Sequence, residues 1–153
     1  MVCCSLSLYI SLASCNKTNV RSATPVTKQI NNSPQVSDKM KIKIGGSTFI
    51  VILEDSPTTI AFKSLLPLNV NMADLNRNEK HVDLPRKLPT DASNPGTIHA
   101  GDLMLYGSST LVLFYKTFST TYSYTRIGRI VNIEGHTPAI GTGNVLVTFE
   151  MER

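Results

Sequence analysis

Six aromatic side chains and one arginine are concentrated between positions 106 and 126: Tyr106, Phe114, Tyr115, Phe118, Tyr122, Tyr124 and Arg126. A tyrosine offers an apolar body and a hydrogen-bonding tip, the combination that lines ligand pockets. Arg126 follows Tyr124 by two residues and therefore shares its face of a strand. A guanidinium beside phenols can hold a carboxylate or phosphate through paired hydrogen bonds. The competing reading is ordinary packing, with the rings in a core or at its rim and the arginine in a surface salt bridge.

Other reactive groups point less far. His99 and Asp102 have the spacing of an acid–base pair, but Gly101-Asp102 is also common turn chemistry leading into a strand. The three histidines, His81, His99 and His136, lack metal-ligand spacing, so no metal and no cofactor are expected. Gly141-Thr142-Gly143 is too short for a phosphate loop and has no lysine after it, so it reads as a turn. All three cysteines, Cys3, Cys4 and Cys15, fall in the first fifteen positions, which excludes a disulfide or a thiol nucleophile further on. The net charge of +4 lies mostly in residues 16–39, where four basic side chains face one acidic. Residues 40–153 carry eleven basic against ten acidic, without the basic stripe of a nucleic-acid reader.

The first fifteen residues read as an address. Val2 to Ala13 is uncharged and mostly apolar or small, and Leu12-Ala13-Ser14-Cys15 resembles the lipobox of bacterial lipoproteins, although no Lys or Arg follows Met1. The stretch is shorter than the roughly 20 residues of a membrane-spanning helix and suits a secretory signal. The resemblance implies cleavage before Cys15 and acylation of its thiol. The protein would then be a membrane-anchored lipoprotein of the cell envelope, on the periplasmic or surface side. Residues 16–39, rich in Asn, Ser, Thr and Pro, have little to bury and read as a flexible polar tether.

From Met40 the pattern turns to strands. Met40, Ile42 and Ile44 alternate with lysines, Gly45-Gly46 marks a hairpin, and Ser47 to Glu54 forms the return strand. Ser56-Pro57 opens a helix whose apolar face is Ile60, Phe62, Leu65 and Leu66, with Pro67 ending it. Leu68 to Asp74 alternates again, and Asn76 to Pro95 reads as a long irregular stretch. Further strands are predicted at 102–106, 110–115, 124–131 and 144–150, with a loop over 117–123 and a helical turn over 137–142. Many short strands and hairpin turns argue for a mainly β, closed barrel.

Within this domain, Met72 with Leu75-Asn76, Asn78-Glu79-Lys80, Pro89 with Asn94 to Gly107, Leu111 to Lys116 and Tyr122 to Ile130 resemble sequence blocks of small bacterial cyclophilin-like domains. The resemblance covers residues 40–153 and implies an eight-stranded barrel with one or two short helices. Against true prolyl isomerases it is selective. Gly101 to Gly107 and Ile127-Gly128-Arg129 match their strands, Leu113-Phe114-Tyr115 overlies their Gln-Phe-Phe, and Tyr124 stands where they have His. Their catalytic arginine has no counterpart here. The implied function is binding of a small ligand or peptide in an aromatic pocket without established catalysis. The alternatives are weak peptidyl-prolyl isomerase activity and an interaction module for a flavodoxin-like redox partner.

Overall fold

The computed structural model describes residues 38–152, so residues 1–15 and most of the 16–39 stretch lie outside the described residues. Eight antiparallel strands close into a barrel in the order β1-β10-β3-β4-β7-β6-β9-β2. They are β1 (Lys39–Ile44), β2 (Ser47–Leu53), β3 (Leu68–Leu75), β4 (Glu79–Asp83), β6 (Asp102–Tyr106), β7 (Thr110–Phe114), β9 (Thr125–Ile130) and β10 (Val145–Met151). Two short strands, β5 (Thr97–Ile98) and β8 (Phe118–Ser119), pair outside the barrel. Two short helices, α1 (Pro57–Lys63) and α2 (His136–Ile140), complete the fold.

Period-2 alternation divides each strand between interior and exterior. Met40, Ile42 and Ile44 point inward and are fully buried, while Lys41 and Lys43 reach out to Glu152 and Glu150. Val51, Leu103, Leu105, Leu111, Leu113, Val147 and Phe149 complete the same interior from the other strands. At β9 the register slips between Leu103 and Met104, so that Leu103 pairs with Gly128 and Met104 with Arg126. Gly128 sits at this irregularity against β2: a Cβ there would lie 2.5 Å from the Ile52 carbonyl oxygen and 2.8 Å from Val51. Only glycine lets the two backbones come this close.

The helix α1 starts where Ser56 and Pro57 indicate, with the Ser56 hydroxyl accepting the Thr59 N–H at 3.1 Å. Its buried face differs from the expected one. Phe62 is buried edge-on to Phe149, but Ile60 is 65% exposed, and Leu65 and Leu66 come after the helix has ended at Lys63. Thr58 and Thr59 take the inner positions instead, because their hydroxyls donate to the carbonyls of Pro89 (2.8 Å) and Ile127 (3.3 Å). The stretch 76–95 also differs from expectation, for it contains the barrel strand β4.

His136 of α2 is fully buried, edge-on to Phe49 at 5.6 Å, and neither ring nitrogen has a hydrogen-bond partner among the described residues. Burial pushes its pKa down to about 4 from 6.5. The unfolded chain therefore takes up this proton before the folded one does. The stability associated with the neutral ring is complete above pH 6.5 and is lost as pH falls towards 4, by about 3 kcal/mol in all. Glu79, whose carboxyl is held above its ordinary value by burial, acts in the opposite sense in the acid range. Urea unfolding at a series of pH values should show a steeper loss between pH 6.5 and 4 in the natural protein than in His136→Leu. Equal slopes would show that the ring is not held neutral.

Candidate functional site

The outer face of β4, β7 and β6 forms the floor of a hollow. Register pairs Glu79 with Phe114, His81 with Val112, Met104 with Val112 and Tyr106 with Thr110, so all these side chains point away from the barrel interior. Ile98, Met104, Val112, Phe114 and Tyr124, with Phe118 beside them, pack into a second apolar cluster. The segment from Phe118 to Tyr124 arches over this wall. It is held by the Ile98–Phe118 pairing, by Thr120 N–H donating to the Gly96 carbonyl at 2.9 Å, and by the reciprocal Ser93–Tyr124 bridge.

Between wall and arch lies a cavity of about 520 Å³, of a size that suits a small organic ligand. Tyr106, Phe118, Tyr122 and Tyr124 supply its rings. Tyr106 contacts Tyr122 and Tyr124 at centroid separations of 6.2 and 5.6 Å. Tyr106 and Tyr122 remain 46% and 62% exposed, so the rings form an accessible wall rather than a sealed core. Glu79, His81 and Asn78 line it from β4 and the preceding turn, with Leu75 and Asn76 at the end of β3. Burial pushes the Tyr124 phenol up to about 12, with the nearby Glu79 charge adding to the effect.

The remaining predicted site residues are placed elsewhere. Phe114 is fully buried beneath the hollow, covered by Phe118 and Tyr124 at 5.8 and 5.4 Å. Tyr115, one residue on, turns to the barrel interior, where its hydroxyl donates to Asp74 at 2.9 Å; burial and this carboxylate push it up to about 12. Arg126 is exposed and does not line the cavity, because two residues of strand carry it about 7 Å beyond Tyr124. Cys15 lies outside the described residues. The Asp102 carboxylate is fully buried and engaged by the Arg129 Nε at 2.5 Å and the His99 backbone N–H at 2.9 Å, while the His99 ring is exposed.

Sequence reasoning did not single out Asn78, Glu79 and His81 as site residues, since they lie in the stretch read as irregular. The alternation Glu79, His81, Asp83 around Lys80 and Val82 was the available signal. It was obscured because the inward side of this strand carries a lysine. Lys80 is fully buried, and its ammonium donates to Asp74 at 2.6 Å and to the carbonyls of Gly143 (2.5 Å) and Gly141 (3.3 Å). The Tyr115 ring lies 5.4 Å away. Gly141-Thr142-Gly143 thus presents carbonyls to a cation. The Lys80 ammonium holds the Asp74 carboxyl below its ordinary value.

A closed antiparallel barrel of eight strands with two short helices is a cyclophilin-like architecture. Residues 42–150 match the cyclophilin-like family, and the chain belongs to it. Among solved structures, a hypothetical protein of Archaeoglobus fulgidus determined in solution is similar in fold. It has a TM-score of 0.51 and 18% identity over 79% of this chain and 99% of that one. No curated protein matches the chain.

Replacing Lys80 by methionine keeps the stem but takes the ammonium from Asp74, which retains the Tyr115 hydroxyl, and from two carbonyls. A loss of about 3 kcal/mol is expected in urea unfolding, as for other buried pairs broken on one side. Asp74→Asn added to Lys80→Met should recover part of it. A loss below about 1 kcal/mol, the value of an exposed pair, would mean that the ammonium is not a structural tie.

Proposed function

We propose that this cyclophilin-like domain binds a small ligand or peptide in the hollow between the β4–β7–β6 wall and the 118–124 arch, without catalysing a reaction on it. The observation that carries this reading is the cavity of about 520 Å³ with tyrosine rings at its mouth. Rigid aromatic walls contribute contact area at little entropic cost, and the phenols supply orientation. Among the described residues no arginine or lysine lines the hollow, so none of them supplies there the guanidinium on which prolyl isomerases rely. This favours binding over isomerisation. The Leu12 to Cys15 pattern supports the further reading that the domain is held at the cell envelope by acyl chains on Cys15. Two or more such chains would anchor it stably, at about 0.8 kcal/mol per buried methylene.

A thermal-shift screen of small aromatic compounds tests the binding site. A ligand at a hundred times its Kd adds about 2.7 kcal/mol, a rise on the order of 10 °C for a domain of this size. The double variant Tyr106→Ala/Tyr122→Ala should lose that rise while keeping its unliganded Tm. Rises of undiminished size in the double variant would place binding elsewhere on the molecule. The anchor has its own test. Cells fed labelled palmitate should label the natural protein and not Cys15→Ser, and equal labelling of both would remove Cys15 from the reading.

A further inference from the structure

The hollow contains a charge without a counter-charge. Glu79 is 8% exposed, lines the cavity, and forms no ion pair or hydrogen bond among the described residues. Desolvation is what raises its carboxyl above the ordinary range, with nothing bound to it that would bring it down. The contrast with Asp74 and Asp102 is direct. Each of those carboxylates accepts from a cationic side chain, Lys80 at 2.6 Å and Arg129 at 2.5 Å. Asn78, beside Glu79, has a buried Oδ1 that also lacks a hydrogen-bond partner among the described residues.

Tyr106, Tyr122, Tyr124 and Phe118, whose ring faces are electron-rich, line the same cavity as this carboxylate. No Lys or Arg is among the lining residues. Asp83 follows His81 on the same side of β4 but is exposed, takes the Thr110 hydroxyl at 2.6 Å and does not line the cavity, so Glu79 is the one carboxylate of its lining. Rings and one carboxylate are a poor cage for a hard metal ion, which seeks six or more oxygens. They suit an organic cation, whose charge meets the carboxylate and whose apolar body meets the rings.

We propose that the cavity selects a small organic amine, with its ammonium at Glu79 and an aromatic-sized body among Tyr106, Tyr122 and Tyr124. This rests on the reading of the hollow as a ligand site, and excludes the carboxylates and phosphates that Arg126 would have suited. The test titrates the full-length protein with phenethylamine, phenethyl alcohol and phenylacetate, followed by NMR of the tyrosine resonances and by calorimetry. Phenethylamine should bind at least tenfold more tightly than the alcohol, and phenylacetate more weakly than either. In Glu79→Gln the amine should fall to the affinity of the alcohol, whose own binding should not change.

Equal affinity for amine and alcohol in the natural protein, or an amine preference that survives Glu79→Gln, would overturn the proposal while leaving the ligand site in place. Failure of all three compounds to shift the tyrosine resonances would remove the site itself. Should Glu79→Gln not fold, Tyr122→Ala carries the test. This ring is 62% exposed, and its loss should weaken the amine more than the alcohol. Equal losses would overturn the proposal.

Discussion

An ammonium group taken out of water costs several kcal/mol unless each of its protons finds an acceptor. Lys80 finds them in the Asp74 carboxylate and the carbonyls of Gly141 and Gly143, which come from β3 and from the turn before β10. β4, Glu79–Asp83, carries no other lysine or arginine. The lysine therefore fixes which side of the strand faces inward, and with it the register against β7. A slip by one residue would bring Glu79 inside and turn Lys80 towards the hollow. The chemistry of the cavity depends on that choice, because Glu79 and His81 face outward only when Lys80 faces inward.

The same strand joins two cores of different character. Inside the barrel, aliphatic side chains from all eight strands fill the space, and α1 contributes Phe62. Outside, a smaller cluster centred on Val112, Met104 and Phe114 supports the arch. That outer cluster spaces the arch from the wall: Phe114 fills the gap at one end, with Phe118 and Tyr124 resting on it. Tyr106, paired with Thr110 on β7, meets the arch rings Tyr122 and Tyr124, and the cavity lies among these rings and the β4 side chains.

Much of this was legible in the chain. Lys39 to Ile44 alternates cleanly, and the Gly45-Gly46 turn leads from it into the apolar run of the return strand Ser47 to Leu53 without tertiary help. Ser56-Pro57 announced α1. What failed has a common cause: polar residues did interior work. Thr58 and Thr59 are buried because carbonyls from other segments meet their hydroxyls, which removed Ile60 from the expected apolar face. In β4 the inward lysine concealed a strand, and with it the acidic side of the cavity. The aromatic side could be read, since four of the six rings do line the hollow. Which four could not, because Tyr115 and Phe114 are assigned by strand phase and by what lies on top of them.

Glu79 is the residue that stability alone does not account for. A glutamine would fill nearly the same volume in β4, keep the same backbone pairing with Phe114, and carry no desolvated charge. A strand that already buries one ion at the cost of three dedicated acceptors gains nothing in folding from a second, unpaired one on its other side. Local choices in natural chains agree with the fold except where function opposes it. Asp102, fully buried, and Asp74, partly buried, show that this chain can supply cationic partners to its carboxylates. The unpartnered carboxylate therefore directs attention to what enters the hollow rather than to what holds the barrel together.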